Sequence, residues 1–155
     1  MVLSSDLREW LVPGLAGTVA TVDRSGQPQV ARVWAVRLRG PGELIEIYVL
    51  RSASPPLLDG LVGGGRAALN LIDVACYRSR TFKGACEVSQ LEPDPEFLET
   101  YLGAMDRAFV GVGMPPGTVE LMLAHCDAPR SMIALSLAVD SVFDQSPKPG
   151  AGARL

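Results

Sequence analysis

One histidine, His125, and three cysteines, Cys76, Cys86 and Cys126, are all that this 155-residue chain holds in ring bases and soft ligands. Their spacing matches no zinc pattern, so a zinc site would need all four to converge from separate parts of the chain. Buried free cysteine acting as a small hydrophobe is the simpler reading. Pairing of Cys76 with Cys86 across a hairpin is the alternative, disfavoured where thiols are kept reduced. A Ser-His-Asp triad would rest wholly on His125, and no serine is framed as a nucleophile elbow. His125 adjoins Cys126, and sequence neighbours rarely face each other, so it reads as a helix-end residue.

Phosphate-binding fingerprints are missing as well. There is no Gly-Lys-Ser/Thr, Gly63-Gly64-Gly65 precedes a strand instead of opening a helix, and prolines break the Gly111–Pro116 stretch. A net charge of −3 argues against a general nucleic-acid binder. The longest apolar runs, such as residues 133–139, are interrupted by serine and too short to span a bilayer. Asp6, Arg8 and Glu9 occupy the place a secretory apolar core would need, so the expected location is the cytoplasm.

What is present is an ordinary globular composition, 48% hydrophobic and 20% charged, long enough for one domain with a real core. Residues 17–38 form two β-branched, alternating runs around Asp23-Arg24-Ser25-Gly26-Gln27-Pro28. Asp opens a turn with its side chain and Gly takes the positive φ that ends it, so the segment reads as a β-hairpin. Further strands are expected at residues 44–50, 67–74, 80–91 and 131–143. Helical spacing marks a short N-terminal helix through Leu3, Leu7, Trp10 and Leu11, and another over residues 56–62. Asp94-Pro95-Glu96 is a helix start carrying the stripe from Phe97 to Phe109, and residues 119–126 make a second helix of that block. Six strands joined by short turns imply antiparallel pairing, most economically closed into a small barrel, with a sandwich as the alternative. Residues 1–143 would form that domain, and 144–155 a Pro/Gly-rich tail of linker composition.

The unusual cargo is cationic. Arg32 and Trp34 share strand parity, whereas Arg37 has the opposite parity. One phosphate could be reached by both arginines only if a β-bulge lay between them. Solvated edge charges are the bland alternative.

With these residues in view, the chain resembles the pyridoxamine 5′-phosphate oxidase-like, FMN-binding split-barrel proteins. The hairpin with Thr21-Val-Asp-Arg-Ser-Gly-Gln-Pro28 is similar to that family's opening, and Arg32-Val-Trp-Ala-Val-Arg37 to its flavin-wrapping strand. Tyr77-Arg-Ser-Arg-Thr-Phe-Lys-Gly84 is similar to a barrel strand whose polar start contacts flavin, and residues 143–152 to the C-terminal segment of one branch. The resemblance implies a mainly β, six-stranded antiparallel split barrel with peripheral helices, a homodimer, and FMN in grooves shared by both subunits. It implies that Arg32 and Arg37 are phosphate- or ring-positioning cations. Val33 and Trp34 would offer backbone amides and an aromatic wall. Leu50, Arg51, Ser52 and Ser54 would follow the third strand as phosphate ligands, and Arg78 and Ser79 would reach the isoalloxazine edge.

Two departures stand out. Ser54-Pro55-Pro56 lacks the cations and some of the amide donors of many relatives, since proline has no N–H. Arg51 is the available substitute. No Trp and Arg pair of the kind used for vitamin B6 substrate stands near the C-terminus, so a true pyridoxamine phosphate oxidase is not expected. The leading expectation is a flavin oxidoreductase acting on a small substrate, with no nucleic acid or membrane partner. Its rivals are haem or deazaflavin chemistry, a binding or sensor module without catalysis, and a barrel without cofactor.

Overall fold

The fold is described from a computed structural model, over residues 2–40, 44–52, 55–124 and 132–155. Among these residues seven strands form one antiparallel sheet: β1 (Ala16–Val22), β2 (Pro28–Val33), β3 (Ala35–Arg39), β4 (Leu44–Leu50), β5 (Gly65–Ile72), β6 (Ser79–Val88) and β7 (Met132–Asp144). Their order is β2-β1-β5-β6-β7-β4-β3. The seventh strand arises because the second arm of the hairpin does not run through as one piece. It breaks at Trp34, and the two halves pair with different neighbours, β2 with β1 and β3 with β4.

The two edges of the sheet are therefore one continuous stretch of chain. Trp34 N–H donates to the Tyr48 carbonyl at 2.9 Å, which joins the β2 end to β4 and curls the sheet into a barrel. Ala31, Val33, Ala35 and Val36 are buried on either side of that seam. Strict alternation fails there because the strand switches partner. The barrel interior is filled by Val19, Leu69, Leu71, Phe82, Ile45, Ile47, Leu135, Leu137 and Val142.

The hairpin turn is built as its sequence implies. Asp23 Oδ1 accepts from the amides of Ser25 and Gln27, and Gly26 sits at φ 84°. The Ser25 hydroxyl and the Gln27 amide hold the Asp23 carboxyl down to about 2.

Four helices are described. α1 (Ser5–Trp10) stacks Trp10 on Phe82, with ring centroids 6.2 Å apart. α2 (Pro55–Asp59) buries Leu57. α3 (Pro95–Gly111) starts at an Asp94 N-cap whose carboxylate accepts from Phe97 N–H, and it buries Leu98, Tyr101 and Met105. α4 (Thr118–Ala124) is tied to α3 through Asp106, which accepts from the amides of Gly117 and Val119. Phe97 packs on Tyr48 at 5.6 Å, so α3 covers the outer side of β4, and that strand is buried on both faces after Leu44. No described helix is long and apolar enough to cross a membrane.

One bulge interrupts β6 and β7 between Lys83 and Gly84. A Cβ on Gly84 would collide with the Ala138 carbonyl, so the strands can approach there only at glycine. The tail folds back on its own sheet. Leu155 N–H donates to the Val142 carbonyl, Gln145 N–H to Ser79, and Gly152 N–H to Asp144, so a segment of linker composition is pinned in place.

Candidate functional site

Eight of the ten residues singled out from the sequence fall into two groups, one on the hairpin side and one after β4. The first lies on the outer face of the hairpin side. Cross-strand register aligns Arg32 with Thr18, Thr18 with Asn70, Asn70 with Thr81, and Thr81 with Phe143, a row crossing five strands. The Arg32 guanidinium lies over the Trp34 ring, 5.1 Å from its centroid, and both Arg32 and Thr18 are exposed. Val33 is buried, and the Trp34 amide is already engaged in closing the barrel.

Ser79 opens β6 beside this row. Its hydroxyl reaches Asn70 Oδ1 and the Leu71 carbonyl, both at 3.1 Å, and its amide donates to Ser146 Oγ of the tail. Arg78 projects from the preceding turn, exposed and without a side-chain hydrogen bond or ion pair among the described residues. Tyr77, just before it, holds φ 58°, a left-handed conformation that closes the tight Asp73–Arg78 turn.

The second group follows β4. Leu50 is buried opposite Met132, while Arg51 and Ser52 are exposed. Arg51 lines a cleft of about 520 Å³ with Leu58, Leu61, Val88 and Ile133, and also an adjoining one of about 290 Å³. Small-molecule sites commonly measure about 300–1,000 Å³ and combine apolar walls with a few polar groups. Arg51 has no carboxylate partner among the described residues. Pro55 and Pro56 open α2, so the first turn lacks two amide donors, as the sequence implies. Ser54 lies outside the described residues, as do His125 and Cys126.

Thr81 stands level with Arg32, and Val88 borders the Arg51 cleft. Seven residues of strand separate them, roughly 23 Å at the rise of an extended chain. Around the closed barrel the groups are nearer, because Trp34 of the first is hydrogen-bonded at 2.9 Å to Tyr48, three residues before Arg51.

Arg37 belongs to neither group. Directly opposite Glu46 on β4, it donates through Nε to Glu46 Oε2 at 2.6 Å and reaches Asp94 at 3.3 Å. Its guanidinium also lies 4.7 Å from the Phe97 ring centroid. Arg39 Nε and the Tyr48 hydroxyl donate to the same Glu46 oxygen, at 3.0 and 2.6 Å. Burial would raise the Glu46 carboxyl, but Tyr48, Arg37 and Arg39 outweigh it and hold it below its ordinary range. The break at Trp34 thus stands where a bulge was expected, yet Arg37 is turned toward α3.

The residues that sequence reasoning passed over are Thr18, Asn70 and Thr81 of the outer row, and Glu46 and Asp144, two buried carboxylates. Asn70 left a signal, as the one polar side chain in Ala67-Ala-Leu-Asn-Leu-Ile72. Cys86 is buried, which pushes its thiol up to about 12, and Cys76 is exposed; both are free. Among the described residues no three metal-ligating side chains gather.

Element order and pairing define an antiparallel split β-barrel, the fold of the pyridoxamine 5′-phosphate oxidase-like proteins. HupZ of Group A Streptococcus has this fold with a TM-score of 0.57 and 17% identity, covering 97% of this chain and 99% of its own. An F420 reductase superposes with a TM-score of 0.51 and 19% identity, over 90% of this chain and 98% of that one. A pyridoxamine 5′-phosphate oxidase-related, FMN-binding protein of Nostoc punctiforme gives 0.50 and 15%, over 88% and 76%. At these identities the likeness is one of fold. No protein-family model and no curated protein matches the sequence.

Proposed function

We propose that this chain is a homodimeric flavin oxidoreductase that takes FMN in a groove completed by a second copy. One observation carries the reading: on a fold shared with FMN-binding proteins, unpartnered arginines stand at both ends of one sheet, Arg78 by the outer row and Arg51 in the cleft. Both are exposed on the single chain and open to a second copy. A two-fold pair would set the cleft of one copy beside the outer row of the other, because isologous contact repeats each half-site twice. The sheet face available for that contact carries small residues, Thr18, Ala20, Ala68 and Ala85, beside exposed Val30.

The residues fit such a ligand. Arg51 would hold a phosphate through its planar fork of donors, with Ser52 next to it. Arg32 and Arg78 would place positive charge against the ring edge, favouring negative charge there. When bound, the flavin supplies hydride or electron transfer to a small substrate. Burial raises the Cys86 thiol to about 12 and raises the Tyr101 hydroxyl, so neither serves as an acid or base near neutrality. A deazaflavin is the second reading, because an F420 reductase shares the fold.

An absorbance spectrum of the purified protein, titration with FMN and riboflavin, and a solution mass test this. We expect one FMN per chain in a dimer, with Arg51→Ala weakening FMN about tenfold or more while leaving riboflavin unchanged. No uptake at saturating FMN removes the reading, and tight binding by a monomer removes the shared groove.

A further inference from the structure

We propose that the Arg51 groove is built for a singly charged phosphate esterified on both sides, and so selects flavin or deazaflavin phosphodiesters over a terminal phosphate. This rests on the flavin reading and assigns its phosphate end a charge and a shape.

The charge follows from the walls. The clefts of about 520 and 290 Å³ share Arg51, Val88, Gln90 and Ile133, so they are two lobes of one groove with Arg51 between them. Glu87 lines the larger lobe and Glu92 the smaller, and neither has an ion-pair partner among the described residues. One arginine is set against two carboxylates, so the groove is net negative before any ligand enters. A phosphate monoester adds a charge of about −1.5 to −2 near neutrality, whereas a diester adds a single one. The donors point the same way. Pro55 and Pro56 open α2 without an N–H, which leaves the Arg51 fork and the Ser52 hydroxyl. A planar fork matches the two non-bridging oxygens of a diester, and the third oxygen of a monoester asks for more donors than these.

The shape follows from the lobes. A terminal phosphate ends its ligand at the cation and needs room on one side only. Here there is room on both. The larger lobe is walled by Leu58 of α2 and by Leu61 and Val62 just after it. Gly63 and Gly64 complete that wall at φ 81° and 95°, with nothing within 4 Å of where a Cβ would stand. An apolar wall edged by bare backbone suits an uncharged ester group, and Glu87 disfavours an anionic one.

The experiment titrates wild type and Val62→Ser by calorimetry with FMN, its methyl ester and its phenyl ester at about pH 8, where the FMN phosphate is a dianion. Riboflavin is the phosphate-free reference, and thermal melts run alongside. Val62 is exposed, so the variant should melt with wild type. We expect the methyl ester to bind about tenfold more tightly than FMN, and the phenyl ester several-fold more tightly again. Val62→Ser should cancel only the added advantage of the phenyl ester. Lowering the pH to about 5.5 protonates the FMN phosphate, which should bring FMN toward the methyl ester while both esters stay level. FMN binding as tightly as the methyl ester at the higher pH, or more tightly, overturns the proposal and leaves the flavin reading intact. Exclusion of the phenyl ester also overturns it, because the larger lobe would then be closed to a group beyond the phosphate. If wild type takes up no flavin, both readings fall together.

Discussion

Two buried carboxylates hold this barrel, and they are served in opposite ways. Glu46 takes three donors on one oxygen, Arg37 and Arg39 from β3 and Tyr48 from its own strand, while Oε1 is buried without a hydrogen-bond partner among the described residues. Asp144 spreads its donors over both oxygens. Arg80 and the Ser146 amide meet Oδ1 at 2.8 and 2.9 Å, and Lys148 meets Oδ2 at 3.0 Å. Two of those three partners lie within four residues of Asp144, in a segment free to arrange itself around the charge. Glu46 depends on side chains fixed by strand register and by α3, which cannot all shift to reach a second oxygen. Local service satisfies a carboxylate fully and secures only the tail; distant service leaves it short but ties an edge strand and a helix together.

The largest test of that contrast is Glu46→Ala. It leaves Arg37, which is mostly covered, facing Asp94 alone at the end of α3. We expect a loss of about 3 kcal/mol, read as a lower denaturant midpoint in equilibrium unfolding. A loss under about 1 kcal/mol would mean that the β3 edge is held by apolar packing instead.

Asp144→Ala should cost less, about 1–2 kcal/mol, because Lys148 is exposed and can rehydrate. Its distinctive sign is local: the tail beyond residue 144 becomes susceptible to limited proteolysis while the barrel stays folded. Equal global and local loss would show that the tail is part of the cooperative core. Acid separates the sites further. Ser146, through its hydroxyl and amide, then Lys148 and Arg80, hold the Asp144 carboxyl far below its usual range, and Glu46 is lowered too. Groups depressed in the folded state contribute fully above their unfolded values, about 4, and lose that contribution as pH falls through the folded ones. Stability should therefore be level near neutrality and decline below about pH 4, with each alanine variant showing a shallower acid decline than wild type.

The smallest effect lies at Tyr77. Replacing it by glycine relieves a left-handed side chain but adds chain entropy, for a net gain of about 0.5 kcal/mol in a thermal melt. A net loss would show that the Tyr77 ring makes a contact of its own.

Much of this architecture was legible in residue patterns. Asp23 and Gly26 announced the hairpin turn, and Asp94-Pro95 the start of α3, because turn and cap chemistry is local. Apolar alternation found the strands to within a few residues at their ends. The partner switch at Trp34 was hidden, since alternation reports faces and says nothing about neighbours. So was the pairing of Arg37 with Glu46, which exists only once β3 and β4 are in register. At the tail, prolines and glycines of linker composition shape a loop closed on Asp144, an arrangement that composition does not report. For the site, sequence named cations worth locating, but which of them stand near one another depends on the barrel seam, where Trp34 meets Tyr48. Asn70 acquires meaning only beside Ser79 and Thr81.

The break at Trp34 also bears on how the protein keeps to itself in solution. A sheet edge is a row of unused backbone donors and acceptors that can recruit the same edge of another molecule. Here the two edge strands are short, of six and five residues. Pro28 removes one ladder donor from the first, and Arg37 and Arg39 charge the second. The sharp change of partner between them denies any incoming strand a long straight template. The same six-residue stretch, Arg32 to Arg37, thereby guards the barrel against fibrous growth.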